Sequence, residues 1–268
     1  DVKIILRFQS DWPDAVVVRL EQNYRSTQLI LQAANAVIAR NRDRHHKTLF
    51  SEQKGGRPVV IYTAENERRE ADFVAQTIRR LCQEEAREPS DFAVCYRTNA
   101  QSRVLEEALR SSGLSYTVVG GTRFYDRAEV KDVLCYLRLV HNPADEVALR
   151  RVINVPSRGI GEATIDKLEA RAAAGGVTLW QALQDALHGD HDLLAAAPRR
   201  RLQAFVTLIH ELQRVKDQES LAELVAAVLE RSGYLERLSA DEGPEAQARR
   251  ENVMEFAGSI RERVEQGG

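Results

Sequence analysis

The chain has 268 residues, of which 43% are hydrophobic and 29% charged, with a formal net charge of −2. These values predict a soluble globular protein of one large or two ordinary domains, and they exclude a globally basic nucleic-acid-binding protein. No apolar run is long enough to cross a bilayer, and the three cysteines form no CxxC pair, so we expect a cytoplasmic protein without disulfide bonds or a zinc knuckle.

The first half of the sequence alternates predicted strands with predicted helices. Four short apolar runs are predicted as strands, at residues 16–20, 58–64, 91–98 and 116–121. Each run is followed by apolar residues at helical spacing; in the first helix Ile30, Ala34, Val37 and Ile38 share one face. Near-continuous apolar strands that alternate with helices are typical of a parallel sheet covered on both faces, so the predicted fold class is α/β.

After about residue 141 the strand patterns stop. Asp145 and Thr178 are predicted helix N-caps, and Gly175-Gly176 predicts a helix C-terminus. Helices are predicted around residues 145–153, 162–174, 178–187, 199–216, 219–231 and 245–264. The sequence therefore predicts an α/β domain over residues 1–142 and an all-helical domain over residues 143–268.

The segment RLEQNYRST, residues 19–27, joins the first predicted strand to the first predicted helix. Ligands of α/β folds bind beyond the C-terminal ends of parallel strands, and this is where Tyr24 and Arg25 lie. Arginine can bind phosphate oxygens bidentately, and a tyrosine ring can lie against a base. The alternative is that Arg25 pairs with Glu21 while Ser26 or Thr27 only caps the helix, and both interpretations stay open.

Two further segments could bind phosphate. Residues 96–103, YRTNAQSR, leave a strand and open a helix, where Asn99 is either an N-cap or part of an anion site. Gly159-Ile160-Gly161 stands just before a helix, where glycines allow close approach of a phosphate to the positive helix end, or form only a tight turn. Between these segments, Phe124 is a core residue or a stacking residue. The histidines show no ligand spacing, so no metal site is predicted.

Four blocks of sequence resemble, in the same order, superfamily 1 DNA helicases of the UvrD/PcrA/Rep type. They are LEQNYRST followed by ILQAANAVI, AVCYRTNAQSRVLEEAL, VVGGTRFYDRAEVKDVLCYLRL and INVPSRGIGEATIDKLE. The resemblance covers nearly the whole chain and is weakest over residues 185–268. It implies an incomplete RecA-like, parallel-sheet motor domain of the 2A type over residues 1–142, followed by an all-α inserted domain of the 2B type over residues 143–268.

The resemblance also implies an activity and the residues that serve it. The complete protein would be an ATP-dependent 3′–5′ DNA helicase that acts in DNA repair, with ATP and Mg²⁺ as cofactors. Arg25 would be catalytic at the γ-phosphate, Tyr24 would pack against adenine, and Gln22 and Asn23 would hold their loop. The nucleic-acid-binding residues would be Arg97, Thr98, Asn99, Arg103 (behind the first three) and Arg127 on the single strand, and Ser157, Arg158, Gly159, Gly161 and Thr164 on the duplex. Arg127 has a second interpretation, an ion pair with Glu129.

No GxxxxGK[ST] loop occurs in the sequence. The resemblance places that loop before Asp1 and further motifs after Gly268, so ATP and Mg²⁺ would be held mainly outside this chain, which alone should be inactive. The implied partners are single-stranded DNA, a duplex junction and the remaining motor segments, with no membrane; self-dimerisation and repair-protein partners stay open. Two alternatives are a non-catalytic DNA-binding or scaffolding module that uses the glycine loop, and a small-molecule α/β enzyme, for which no acid/base set is found.

Overall fold

The structure is a computed structural model that describes residues 7–8, 11–41, 47–189 and 193–266. The chain divides into two compact units, Asp1–Glu65 and Asn66–Gly268. This division does not test the boundary predicted at residues 142/143, so the 2A-type and 2B-type domains stay a prediction. None of the helices formed by the described residues is long and apolar enough to cross a membrane.

The first unit is built around helix α1, Gln28–Ile38. Leu31 is the buried residue of α1, whereas Ile30, Ala34, Val37 and Ile38, which the sequence placed on one face, are exposed. The segment 47–53 runs beside residues 21–28 and forms one parallel bridge, between Gln22 and Phe50. This pairing holds the segment that precedes α1.

The four predicted strands are not confirmed. Within the described ranges, residues 16–20, 58–64, 91–98 and 116–121 form no strand, and the Gln22–Phe50 bridge is isolated. Their apolar side chains are largely exposed, with Val16 88%, Ile61 90% and Val119 91% accessible. Strand formation requires a neighbouring chain segment whose N–H and C=O groups pair, and an apolar run does not reveal whether that neighbour is present.

The second unit begins with two packed helices, α2, Glu67–Glu85, and α3, Ser102–Ser111. Short 3₁₀ turns at Pro89–Asp91 and Asn99–Gln101 lie between these helices. Their contact is a small core that contains Ala71, Ala75, Val104 and Ala108. The helical spacing in the sequence predicted both helices.

The rest of the second unit is helical. After a 3₁₀ turn at Phe124–Asp126, the helices are α4 Ala128–His141, α5 Glu146–Val152, α6 Glu162–Gly175, α7 Leu179–His188, α8 Ala196–Gln218, α9 Leu221–Arg231, α10 Tyr234–Ser239 and α11 Pro244–Glu265. One continuous core joins them, with members from α4 to α11 such as Tyr136, Leu149, Leu168, Leu183, Ile209, Val228 and Phe256. Helix α4, which the sequence placed before the domain boundary, packs into this core.

The predicted helix ends in this region are confirmed. Asp145 accepts a hydrogen bond from the Ala148 N–H at 2.9 Å, and Thr178 accepts one from the Gln181 N–H at 3.2 Å. Gly176 closes α6 with a φ of +61°, a conformation that favours glycine. Helix α10 was not predicted, because six residues are too few for a periodic pattern to be recognised.

Candidate nucleotide-binding and nucleic-acid interfaces

The loop that carries Tyr24 and Arg25 is fixed by Asn23. The Asn23 side-chain oxygen accepts hydrogen bonds from the N–H of Arg25 at 3.0 Å and of Ser26 at 2.9 Å. Gln53 donates to the Tyr24 carbonyl at 2.8 Å from the neighbouring segment. The main chain of the loop is therefore held from two sides without any use of the Arg25 side chain.

Both candidate side chains of this loop face outward. Tyr24 is 76% exposed, and its hydroxyl donates to Gln22 at 3.0 Å. Arg25 is exposed and makes no ion pair with any residue that the structure describes. Glu21 instead accepts a hydrogen bond from the Thr48 N–H at 3.1 Å. The alternative in which Arg25 pairs with Glu21 is therefore wrong.

Side chains of helix α1 hold the segment 47–53, which runs beside the same loop. Asn35 donates to the Leu49 carbonyl at 2.8 Å and accepts from the Leu49 N–H at 3.2 Å, and Gln28 accepts from the Ser51 N–H at 2.8 Å. Thr27 occupies the N-cap position of α1 but makes no side-chain cap, so capping by Thr27 is wrong. Side chains of α1 thus anchor the segment that in turn holds Tyr24.

A second candidate surface consists of Arg97, Thr98 and Asn99, which are all exposed. The Gln101 side-chain oxygen accepts from the N–H of Arg97 at 2.9 Å and of Thr98 at 3.0 Å. Asn99 is the first residue of the 3₁₀ turn and Thr98 its N-cap, so Asn99 as the cap is wrong. The spacing Thr-x-x-Gln is a capping-box pattern, and it could have identified Gln101 from the sequence.

Arg103 lies behind this surface and is only 2% exposed. Its Nε donates to Glu255 at 2.7 Å and its Nη1 to Glu107 at 3.2 Å. Burial alone would lower the pKa of Arg103, but the hydrogen bonds and charges of Glu255 and Glu107 outweigh it and raise the pKa above its ordinary value. The guanidinium is occupied within the chain and does not reach the surface formed by residues 97–99.

Arg127 is also buried, at 7% exposure. Its guanidinium donates to the Asn99 carbonyl at 2.9 Å, to Asn252 at 2.7 Å and to the Ser102 hydroxyl at 2.8 Å. The predicted direct pair with Glu129 is wrong, because Glu129 accepts a hydrogen bond from Asn252 at 2.6 Å instead. Phe124 is fully buried beneath Arg127, which confirms it as a core residue.

The Gly120-Gly121 turn borders a cavity of about 290 Å³. Asn99, Arg127 and Arg249 also line this cavity, so parts of the chain that are distant in sequence meet there. Gly120 has a φ of +77°, which favours glycine at this position. The cavity lies beside the exposed surface of residues 97–99.

The third candidate surface is the glycine loop before α6. Asn154 accepts from the N–H of Arg158 at 2.8 Å and of Ile160 at 3.1 Å, and the Ile160 side chain is buried. Gly159 has a φ of +70°, and Arg201 donates to its carbonyl at 2.6 Å. Gly161 is the N-cap of α6. The loop is anchored by one buried side chain and one amide, which leaves its glycines at the surface.

The other predicted residues of this loop differ in exposure. Ser157 is exposed and Thr164 is half-buried. Arg158 turns inward: it donates to the Val152 carbonyl at 3.1 Å and to the Tyr136 hydroxyl at 2.6 Å, and it lies over the Phe205 ring. Neither Asn154 nor Arg201 carried a recognisable signal in the sequence, because each acts through contacts that only the folded chain creates.

Comparison with known proteins identifies the family. The sequence matches the family described as "UvrD-like helicase C-terminal domain" over residues 18–266. The chain belongs to this family. Proteins with similar sequences include the ATP-dependent DNA helicase PcrA of Bacillus subtilis (strain 168), which is 44% identical over 256 residues. That alignment covers 96% of this chain and 34% of the Bacillus protein.

Two further relatives match to a similar extent. The ATP-dependent DNA helicase UvrD1 of Mycobacterium tuberculosis is 44% identical over 255 residues, which is 95% of this chain and 33% of that protein. The ATP-dependent DNA helicase PcrA of Staphylococcus aureus is 42% identical over 258 residues, which is 96% of this chain and 34% of that protein. The chain therefore spans about a third of the length of the curated relatives it matches.

Proposed function

We propose that this chain is part of an ATP-dependent DNA helicase that moves 3′ to 5′ along single-stranded DNA and unwinds duplexes in DNA repair. The chain would supply one wall of the ATP cleft, part of the single-strand track and a helical domain that contacts the duplex. The observation that carries the proposal is Arg25, whose guanidinium is exposed without an ion pair among described residues while its main chain is fixed by Asn23. The names of the similar helicases support it.

Tyr24 and Arg25 fit one wall of an ATP site. A phosphoryl group in transfer carries negative charge, and an arginine placed against it typically accelerates the reaction by about 10³–10⁵. The role of Arg25 is to donate hydrogen bonds to those oxygens, and the role of Tyr24 is to offer its exposed ring to the base. Asn23 holds the main chain at Arg25 and Ser26, and Gln53 holds it at Tyr24, so the main chain of the loop needs little ordering when ATP binds.

The described residues do not fit a magnesium site. They include no group of three histidine, cysteine, aspartate or glutamate side chains that could hold a metal ion. As the resemblance implies, we propose that Mg²⁺ is held mainly by the phosphates of ATP and by protein outside this chain.

We also propose the fold that the resemblance implies. The runs at residues 16–20, 58–64, 91–98 and 116–121 would be strands of an incomplete RecA-like parallel sheet in a 2A-type domain over residues 1–142. The large exposed fractions of Val16, Ile61 and Val119 support this, because such side chains are expected to be covered in a complete domain. Residues 143–268 would form the inserted 2B-type domain.

The single-strand track would use Arg97, Thr98 and Asn99. Exposed side chains on a turn fixed by Gln101 can contact phosphates without reading the bases. Arg103 and Arg127 would stand behind the track, since both are buried and bonded to other residues of the chain. The duplex would be contacted at the start of α6, where Ser157, Gly159 and Gly161 are exposed at the positive end of the helix and Thr164 follows in its first turn.

An unwinding assay on the full natural protein tests the proposal. Duplexes with a 3′ tail, a 5′ tail or no tail are mixed with protein, with and without ATP, and strand separation is measured. We expect separation of the 3′-tailed duplex only when ATP is present. Salt-dependent duplex binding without any ATP hydrolysis would contradict the proposal and would favour the non-catalytic DNA-binding module instead.

A further inference from the structure

The strongest unexplained feature of the second unit is the buried guanidinium of Arg127. It reaches three parts of the chain: the turn at Asn99, helix α3 at Ser102 and helix α11 at Asn252. We propose that Arg127 is a positioning residue that ties the exposed loop of residues 97–99 to α11, and that it does not bind DNA itself. This inference rests on the proposed single-strand track.

The geometry of these contacts favours a positioning role. One nitrogen, Nη1, donates both to the Asn99 carbonyl at 2.9 Å and to the Asn252 side chain at 2.7 Å, while Nη2 donates to Ser102 at 2.8 Å. The planar guanidinium fixes the angles between its donors, so the three acceptors are held in one arrangement. A lysine could not reproduce this, because its ammonium group does not impose a planar geometry.

Two carboxylates balance the charge of Arg127, and each is connected to it through one intervening side chain. Asn252 donates to Glu129 at 2.6 Å, and Ser102 donates to Glu106 at 2.9 Å. Glu106 is itself buried and also accepts from the Phe124 N–H at 3.0 Å. A buried charge and its hydrogen-bonding partners are costly to separate. Turning Arg127 toward a phosphate would leave Asn252 and Ser102 without their donor, so the observed arrangement opposes direct DNA contact.

The consequence is a mechanical link between the loop and a helix that is distant in sequence. Asn252 lies on α11, which packs against α4, α9 and α10 and against the 3₁₀ turn Asn99–Gln101. A displacement of α11 would carry Asn252 with it and change the support of the Asn99 carbonyl through Arg127. The position of the single-strand loop is therefore coupled to the position of α11.

The test uses four variants of the full natural protein, which are Arg127→Ala, Asn252→Ala, the double variant with both of these changes, and Arg97→Ala. DNA-stimulated ATP hydrolysis is measured against the concentration of an oligothymidylate, and its binding is measured at several salt concentrations. Loss of one phosphate contact lowers the slope of log K against log salt by about 0.7 for single strands. Arg97→Ala, which removes an exposed side chain of the loop, should lower the slope by about this amount.

Arg127→Ala and Asn252→Ala should each weaken DNA binding by about tenfold, because roughly one buried hydrogen bond is lost. The slope of log K against log salt should stay unchanged, because no phosphate contact is removed. Asn252→Ala should raise the DNA concentration that gives half of the maximal rate of ATP hydrolysis, without changing the maximal rate itself. A protein that is only less stable would instead lose maximal rate. The double variant should bind no more weakly than Arg127→Ala, because both changes break the same link.

Two results would overturn the inference. A salt slope of Arg127→Ala reduced as much as that of Arg97→Ala would show a direct phosphate contact. Binding by Asn252→Ala equal to that of the unaltered protein would show that the link from Asn252 through Arg127 does not support the loop, and this variant decides the matter even if Arg127→Ala fails to fold. If the unaltered protein does not bind the oligonucleotide, the proposed single-strand track fails, and this inference fails with it.

Discussion

Replacing Arg103 with alanine should destabilise the protein strongly. Arg103 lies 2% exposed between Glu255, at 2.7 Å, and Glu107, at 3.2 Å, and it joins α3 to α11. Removing one partner of a buried ion pair costs about 3–5 kcal/mol of stability, because a charge is left without compensation. Glu107 and Glu255 remain 29% and 30% exposed and can recover some hydration, so we expect about 3 kcal/mol, at the lower end of that range.

The structure offers a matched control for this change. Arg80 on α2 also forms an i,i+4 pair with a glutamate, Glu84, at 2.7 Å, but both side chains are more than half exposed. Arg80→Ala should therefore cost at most about 0.5 kcal/mol. A variant that replaces the whole cluster, Arg103→Met with Glu107→Gln and Glu255→Gln, should recover most of the lost stability, since no unpaired charge remains.

Equilibrium unfolding in urea measures these differences. Arg103→Ala should lower the transition midpoint with little change of slope, and Arg80→Ala should leave the midpoint nearly unchanged. If the two alanine variants proved equally stable, the burial of Arg103 and its assignment behind the single-strand loop would both be refuted.

Two further predictions concern the loops. Gly159→Ala should lower the free energy of unfolding by about 1–2 kcal/mol, because the residue has a φ of +70° and a Cβ would lie 2.9 Å from the Arg201 guanidinium. Gly161→Ala, where nothing lies within 4 Å of a new Cβ, should cost about 1 kcal/mol or less, and equal effects in thermal unfolding would contradict this account. Asn23→Ala should slow ATP hydrolysis by the full natural protein up to about 10²-fold, because it releases the Arg25 main chain. Asn23→Asp keeps the acceptor oxygen and should retain most of the rate. Identical rates for the two variants would argue against the role of Asn23.

The sequence predicted the helical elements well because their signals are local. Apolar spacing located α2, α3 and the longer helices after residue 141, and single residues such as Asp145 and Thr178 marked helix starts that the structure confirms. The six-residue helix α10 was missed because it is shorter than two turns. The four apolar runs carry a strand pattern, but a pattern does not supply the hydrogen-bonding neighbour that a strand needs, and no sheet was confirmed.

The same limit applies to the candidate sites. The family resemblance implied that Arg127, and Arg103 behind residues 97–99, bind the single strand. Their partners Glu255 and Asn252 are 152 and 125 positions away, so nothing local indicated that both guanidinium groups would be buried. The expectation that Asn23 holds the Tyr24–Arg25 loop is confirmed, and its contacts are local, two and three residues away.

The rate of phosphoryl transfer in an Arg25→Ala variant tests the central claim most directly. In the full natural protein, at saturating ATP and single-stranded DNA, single-turnover hydrolysis should slow by about 10³-fold or more, while affinity for the single strand stays unchanged. Arg25→Lys keeps the charge but loses the bidentate geometry, so its rate of hydrolysis should lie between those of Arg25→Ala and the unaltered protein. Hydrolysis by Arg25→Ala at the rate of the unaltered protein would contradict the account.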